Sequence, residues 1–181
     1  MDFQKLKSGL LVPDHKIIGM GTYHGTLIRD GKVIEEFEDH NLVVNEGLNA
    51  NLNIMLNGYT QITSWYLGLF TGNYTPVATD AAATIAANST ECTGYTAGAR
   101  QQWLPAAAAG QSITNSASRA SFTFNATQTI YGGFLVSTAT IGGTSGTLFS
   151  AAQFSSPKSV VNLDQLLLTY TFTAEIGRAH V

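Results

Sequence analysis

The chain has 181 residues, enough for one compact domain with or without a tail, and 44% of them are hydrophobic, enough to build a core. Only 12% are charged, the net charge is −3, and Thr, Ser, Asn, Gly and Ala fill the remainder. There is no basic excess to form an electrostatic nucleic-acid footprint, no apolar run of membrane-spanning length, and a single cysteine, Cys92, which excludes an intrachain disulfide and a thiolate metal cluster.

Residues 1–14 read as an N-terminal arm, mixed in character and ending at Pro13-Asp14. Its apolar stretch, Leu10 to Val12, is too short for the central region of a signal peptide, so the chain reads as made in the cytoplasm without an export signal. The body of the protein is expected over residues 15–174. From Ile17 to Ile28, Tyr23, Gly25 and Leu27 alternate with Thr22, Thr26 and Ile28 as the two faces of a strand. Asp30-Gly31 is a strong hairpin signal, since both central residues of that turn take positive φ. Lys32 to Glu38 returns as the second strand.

Asn41 to Asn45 leads into one short embedded α-helix over about 46–57. Asn45 is placed to cap it and Glu46 to sit in its first turn. Leu48, Leu52, Met55 and Leu56 recur at helical spacing and form one apolar face, and Asn57-Gly58 stops the helix.

Ser64 to Phe70 reads as a buried, central strand. Thr71 to Asp80 reads as a loop, Ala81 to Ala87 as a short helix or coil, and Asn88 to Gly110 as a long excursion around Arg100 and Trp103. From Ile113 the pattern turns β. Ala120, Phe122, Phe124 and Ala126 alternate with Ser121, Thr123 and Asn125, and Ile130 to Ser137 is apolar on both faces. Thr147 to Phe154 is a strand that Ser155-Ser156-Pro157 is expected to break, and Leu166, Leu168, Tyr170 and Phe172 mark one face of the last strand. Glu175 to Val181 matches the translation of a common sequencing-adapter sequence and is set aside as an artefactual tail. Short strands between Gly-, Ser- and Asn-rich turns give a mainly β fold, an antiparallel β-sandwich or a jelly-roll-like variant of it.

Chemistry-bearing motifs are sparse. Gly143-Thr-Ser145-Gly146 lacks the spacing of a hydrolase nucleophile elbow, and Gly19-Met-Gly21 leads into a hairpin where a dinucleotide fingerprint needs a helix. Glu36, Glu38 and His40 share one face of their strand, which suits a solvated edge better than a divalent-ion site. No catalytic residue, metal ligand or cofactor site follows, and the chain reads as a non-enzyme. Tyr74, Tyr95 and Trp103 lie in loop-like segments and are the candidate interaction surface, for a protein partner or for stacking on a glycan.

Four stretches carry a resemblance: His40 to Gly47, Trp65 to Asn73, Arg119 to Gly133, and Ala151 to Asn162 with the strand that follows. Together they resemble tailed-phage virion structural proteins of the capsid decoration or cement type. That resemblance implies a bacteriophage virion protein decorating or cementing the capsid exterior, located in the virion. Its partners would be the major capsid protein or other virion proteins, with a symmetric homo-oligomer, a trimer for instance, and without nucleic acid or membrane. The alternatives are a tail- or fibre-associated structural protein and a carbohydrate-binding β-sandwich module.

Overall fold

Alternating apolar residues need a second apolar sheet to cover them, and the long strands of this chain supply one another. The computed structural model describes residues 3–5, 11–13 and 16–177. Strands β1 (Phe3–Lys5) and β2 (Leu11–Pro13) pair with each other within the segment read as an arm. Strand β3 (Lys16–Arg29) turns at Asp30-Gly31 into β4 (Lys32–His40), and both turn residues have positive φ, 49° and 72°, as the hairpin requires. Next come β5 (Leu42–Val43), α1 (Asn45–Leu56), β6 (Trp65–Phe70), α2 (Ile85–Asn88), β7 (Gln101–Trp103), β8 (Ser112–Thr114) and β9 (Ala120–Thr123). The chain then runs through β10 (Gln128–Val136), β11 (Leu148–Val160) and β12 (Gln165–Gly177).

Two antiparallel sheets result. One has the order β5-β11-β10-β6-β7; the other has the order β4-β3-β12-β8, with β9 also paired to β12. Their facing sides form the main core, with Tyr23, Leu27, Leu166, Leu168 and Phe122 from one sheet against Leu67, Leu69, Leu135 and Phe154 from the other. The fold is therefore a β-sandwich, mainly β with little helix. The first sheet is buried on its other face as well. Phe70, Phe134, Val136 and Ala151 meet Val44, Ala82 and Ile85 beneath the loop that carries α2. That double burial explains why β10 is apolar on both faces.

Three local expectations change. Ser155-Ser156-Pro157 does not end β11. The pairing shifts from Ile130↔Lys158 to Gly132↔Gln153, so the strand bulges there, and a proline is tolerated where the ladder is already interrupted. Asn45 does not cap α1: the N-cap is Val44, with no side-chain cap bond. Val44 is instead fixed by its buried side chain and by its N–H, which donates to the Phe149 carbonyl. Finally, β12 continues through Gly177, paired with Lys16, so regular structure extends three residues into the segment set aside as a tail; residues 178–181 lie outside the described residues.

Candidate functional site

The three aromatic residues proposed as an interaction surface do not share one. Tyr95 (3% exposed) packs edge-on against Phe122 in the main core, and burial pushes its phenol well above the ordinary tyrosine value. Trp103 (8% exposed) belongs to β7, where it pairs with Trp65, and its Nε1–H donates to the Tyr170 carbonyl at 3.1 Å. Tyr74 is half-buried against the second core, its hydroxyl donating to Asp80 Oδ1 at 2.6 Å. The physical reason is the same in each case: a large ring in a long loop was taken up by the nearest apolar sheet face.

Trp103 does line an aromatic recess. At one end of the sandwich, Trp65, Phe149 and Phe172 form an edge-to-face chain, with centroids 5.6 and 5.1 Å apart. With Trp103 they enclose a cavity of about 270 Å³, to which Asn51 and Gln61 contribute polar groups. It falls just below the usual range of ligand pockets, roughly 300–1,000 Å³.

The charged side chains that fold inward hold loops to sheets. Arg100 Nε and Nη2 donate to Glu91 Oε1 and Oε2 at 2.7 and 2.9 Å, and Nη1 donates to the Thr138 carbonyl at 3.1 Å. Both side chains are almost fully buried, and the guanidinium also lies 5.1 Å from the centre of the Phe134 ring. Glu91 accepts a further bond from the Gly142 N–H, so this pair joins the 88–100 loop to the 138–143 turn. Lys158 donates to Glu35 and Ser156 and sits over the Phe37 ring, bridging the bulge in β11 to β4. Arg29 binds Asp164 through two hydrogen bonds; those bonds, with one from the Val161 N–H, hold the Asp164 carboxyl below the usual carboxylate range. Glu46 Oε2 accepts from the Ala82 and Leu148 N–H groups at 2.8 and 2.7 Å, so the first-turn acid of α1 clamps the helix to both neighbouring segments. None of these contacts was legible from spacing; the one available hint is that Glu91 and Arg100 stand in an otherwise uncharged loop.

Glu36, Glu38 and His40 lie exposed along β4, which among the described residues pairs only with β3, so they occupy a solvated sheet edge. Among the described residues, no three His, Cys, Asp or Glu side chains group as a metal-ligand set. Cys92 is buried, and desolvation raises its thiol above the ordinary value. Among the described residues, no helix is long and apolar enough to cross a membrane.

The notable surface feature is α1. At about 100° per residue, Gly47, Ala50 and Ile54 face the sandwich, and Leu48, Leu52, Met55 and Leu56 lie on the opposite side. Those four are 43, 57, 74 and 79% exposed, so the apolar face read from the sequence points outward. The reason lies at Gly47: a Cβ there would collide with the backbone of Phe149, so only the glycine side of the helix can meet the sheet this closely.

No protein-family model and no curated protein sequence matches the chain.

Proposed function

We propose that the chain is a non-catalytic structural protein of a tailed-phage particle, one that decorates or cements the capsid exterior. The observation that carries this reading is the uncharged segment from Gly47 to Thr79, which holds no Lys, Arg, Asp, Glu or His and contributes much of the exposed surface around α1. Such a surface suits attachment by apolar area and shape, which a subunit bound to many equivalent sites needs. The inward-folded charges support the same reading, since they tie loops and strands together into a rigid block. The glycan-binding alternative loses its platform with the burial of Tyr95 and Trp103.

Immunogold electron microscopy tests this reading, using antibody against the recombinant chain on phage particles that carry its gene. Label over the heads is expected. Label restricted to tails moves the protein to the tail- or fibre-associated alternative, and unlabelled particles overturn a virion role.

A further inference from the structure

We infer that the aromatic recess at the end of the sandwich is a binding site for a small, uncharged, two-ring aromatic molecule that carries one hydrogen-bonding group. This goes beyond a structural role and does not rest on one. The recess exists because α1 turns Leu48, Leu52 and Met55 outward. The side of the helix that meets the sandwich then sets Asn51 and Ile54 over the aromatic rings, and the space between is left unfilled. Trp103, Leu135 and Tyr170 are buried and form its floor, whereas Trp65, Phe149 and Phe172 are only partly buried and leave a way in.

Size, charge and polarity select the ligand. A cavity of about 150 Å³ walled by apolar side chains takes benzene, so one of about 270 Å³ has room for two fused rings. The walls suit a flat ring. Trp65 and Phe149, Phe149 and Phe172, and Trp103 and Tyr170 meet at 71°, 85° and 67°, so a ring stacked on one wall meets the next edge-on. None of the lining side chains is charged, so an ionised ligand would lose its hydration without gaining a partner. The Trp103 Nε1–H already donates to the Tyr170 carbonyl, and the Tyr170 hydroxyl already accepts from Asn41. The groups offered to a ligand are therefore chiefly the carboxamides of Asn51 and Gln61, each able to donate and to accept. They serve a single N–H or hydroxyl. A sugar, with a hydroxyl on most of its ring carbons, would leave several unpaired against aromatic walls.

Indole is the probe, added unlabelled to the isotope-labelled full chain in an NMR titration. The chain has two tryptophans, so two ring N–H signals report on the recess. Both should shift and saturate at one indole per chain, together with the side-chain amides of Asn51 and Gln61. Calorimetry should find the charged analogue indoleacetate weaker than indole by about tenfold or more. Asn51→Leu should weaken indole by about threefold to tenfold and leave benzene, which has no polar group, unchanged. Ile54→Trp, which fills the space, should abolish binding; if that variant does not fold, Asn51→Leu carries the test. No saturable binding up to the solubility of indole, or binding that leaves both tryptophan signals unmoved, overturns the site. So does indoleacetate binding as tightly as indole, or methyl glucoside shifting the same signals, which would give the recess to a glycan. These measurements use purified protein, so they succeed or fail independently of the particle labelling.

Discussion

Replacing Arg100 by Met removes one partner from the most buried ion pair among the described residues. In the native protein the guanidinium satisfies both Glu91 oxygens and the Thr138 carbonyl, and it lies against the Phe134 ring. Methionine keeps much of the stem's packing but leaves the Glu91 carboxylate, 4% exposed, with only the Gly142 N–H as partner. An uncompensated charge of this kind costs about 3–5 kcal/mol. In a chain of this length that corresponds to a melting temperature lower by roughly 6–20 °C. Guanidinium denaturation followed by the fluorescence of Trp65 and Trp103 would read the change directly. The double variant Glu91→Leu with Arg100→Met removes the stranded charge as well and should recover most of the loss, because an apolar pair of similar volume replaces a buried ion pair at little cost. A single-variant loss under about 1 kcal/mol, the range of solvent-exposed pairs, would refute the reasoning. A double variant no more stable than the sum of its parts would refute it too.

Asp164 supplies a pH dependence. Because its folded pKa is depressed by Arg29, its contribution is present above the unfolded carboxyl value of about 3.9 and is lost as pH falls through the folded value. The stability advantage of wild type over Arg29→Gln should therefore shrink as melting curves are taken from neutral pH towards pH ~2. Cys92 should resist alkylation by iodoacetamide in the native protein and react once the chain is unfolded, since burial disfavours its thiolate; rapid native labelling would contradict that placement. Asn115 stands in for a strand residue in the gap between β8 and β9, accepting from the Tyr170 N–H at 2.7 Å and donating to the Leu168 carbonyl at 3.3 Å. Asn115→Ala removes the side-chain acceptor of the buried Tyr170 N–H and should cost about 1–3 kcal/mol in urea denaturation. Gly47→Ala should lower the melting temperature by several degrees, at about 1–3 kcal/mol for an overpacked site, whereas Gly98→Ala, in open space and without a positive φ, should cost less.

The strands were legible where a local rule decides them. Asp30-Gly31 needs positive φ at two neighbouring residues, and few turns other than a hairpin use that pair. The alternations predict the burial of Ala120, Phe122 and Phe124 and of Leu166, Leu168 and Tyr170, because a pleated strand leaves no other face to choose, whereas Ala126, beyond the end of β9, is exposed and Phe172 is only partly buried. Legibility fails where a distant segment decides. Pro157 breaks a regular ladder, yet β11 survives because its partner β10 shifts register beside it. Tyr95 and Trp103 look like loop aromatics until the sheet faces that bury them are in place. Lys158 and Arg100 look like surface residues, and only the fold brings Glu35 and Glu91 within 2.7 Å of them.

The same distinction explains why α1 turns its larger side chains outward. A helix free to choose would bury Leu48, Leu52 and Met55 and expose Gly47 and Ala50, since burying a leucine or methionine gains about 1.5–3 kcal/mol. Here three anchors outside the helix fix its rotation. Val44 is drawn into the second core immediately before it, Glu46 is held by the N–H groups of Ala82 and of Leu148 at the start of β11, and Gly47 rests on the Phe149 backbone. Each anchor lies within the first turn or just before it, so the rest of the helix follows from where that turn points. An apolar face held outward by such anchors gains nothing from the monomer's own fold, and any stabilisation it can give must come from a surface that covers it.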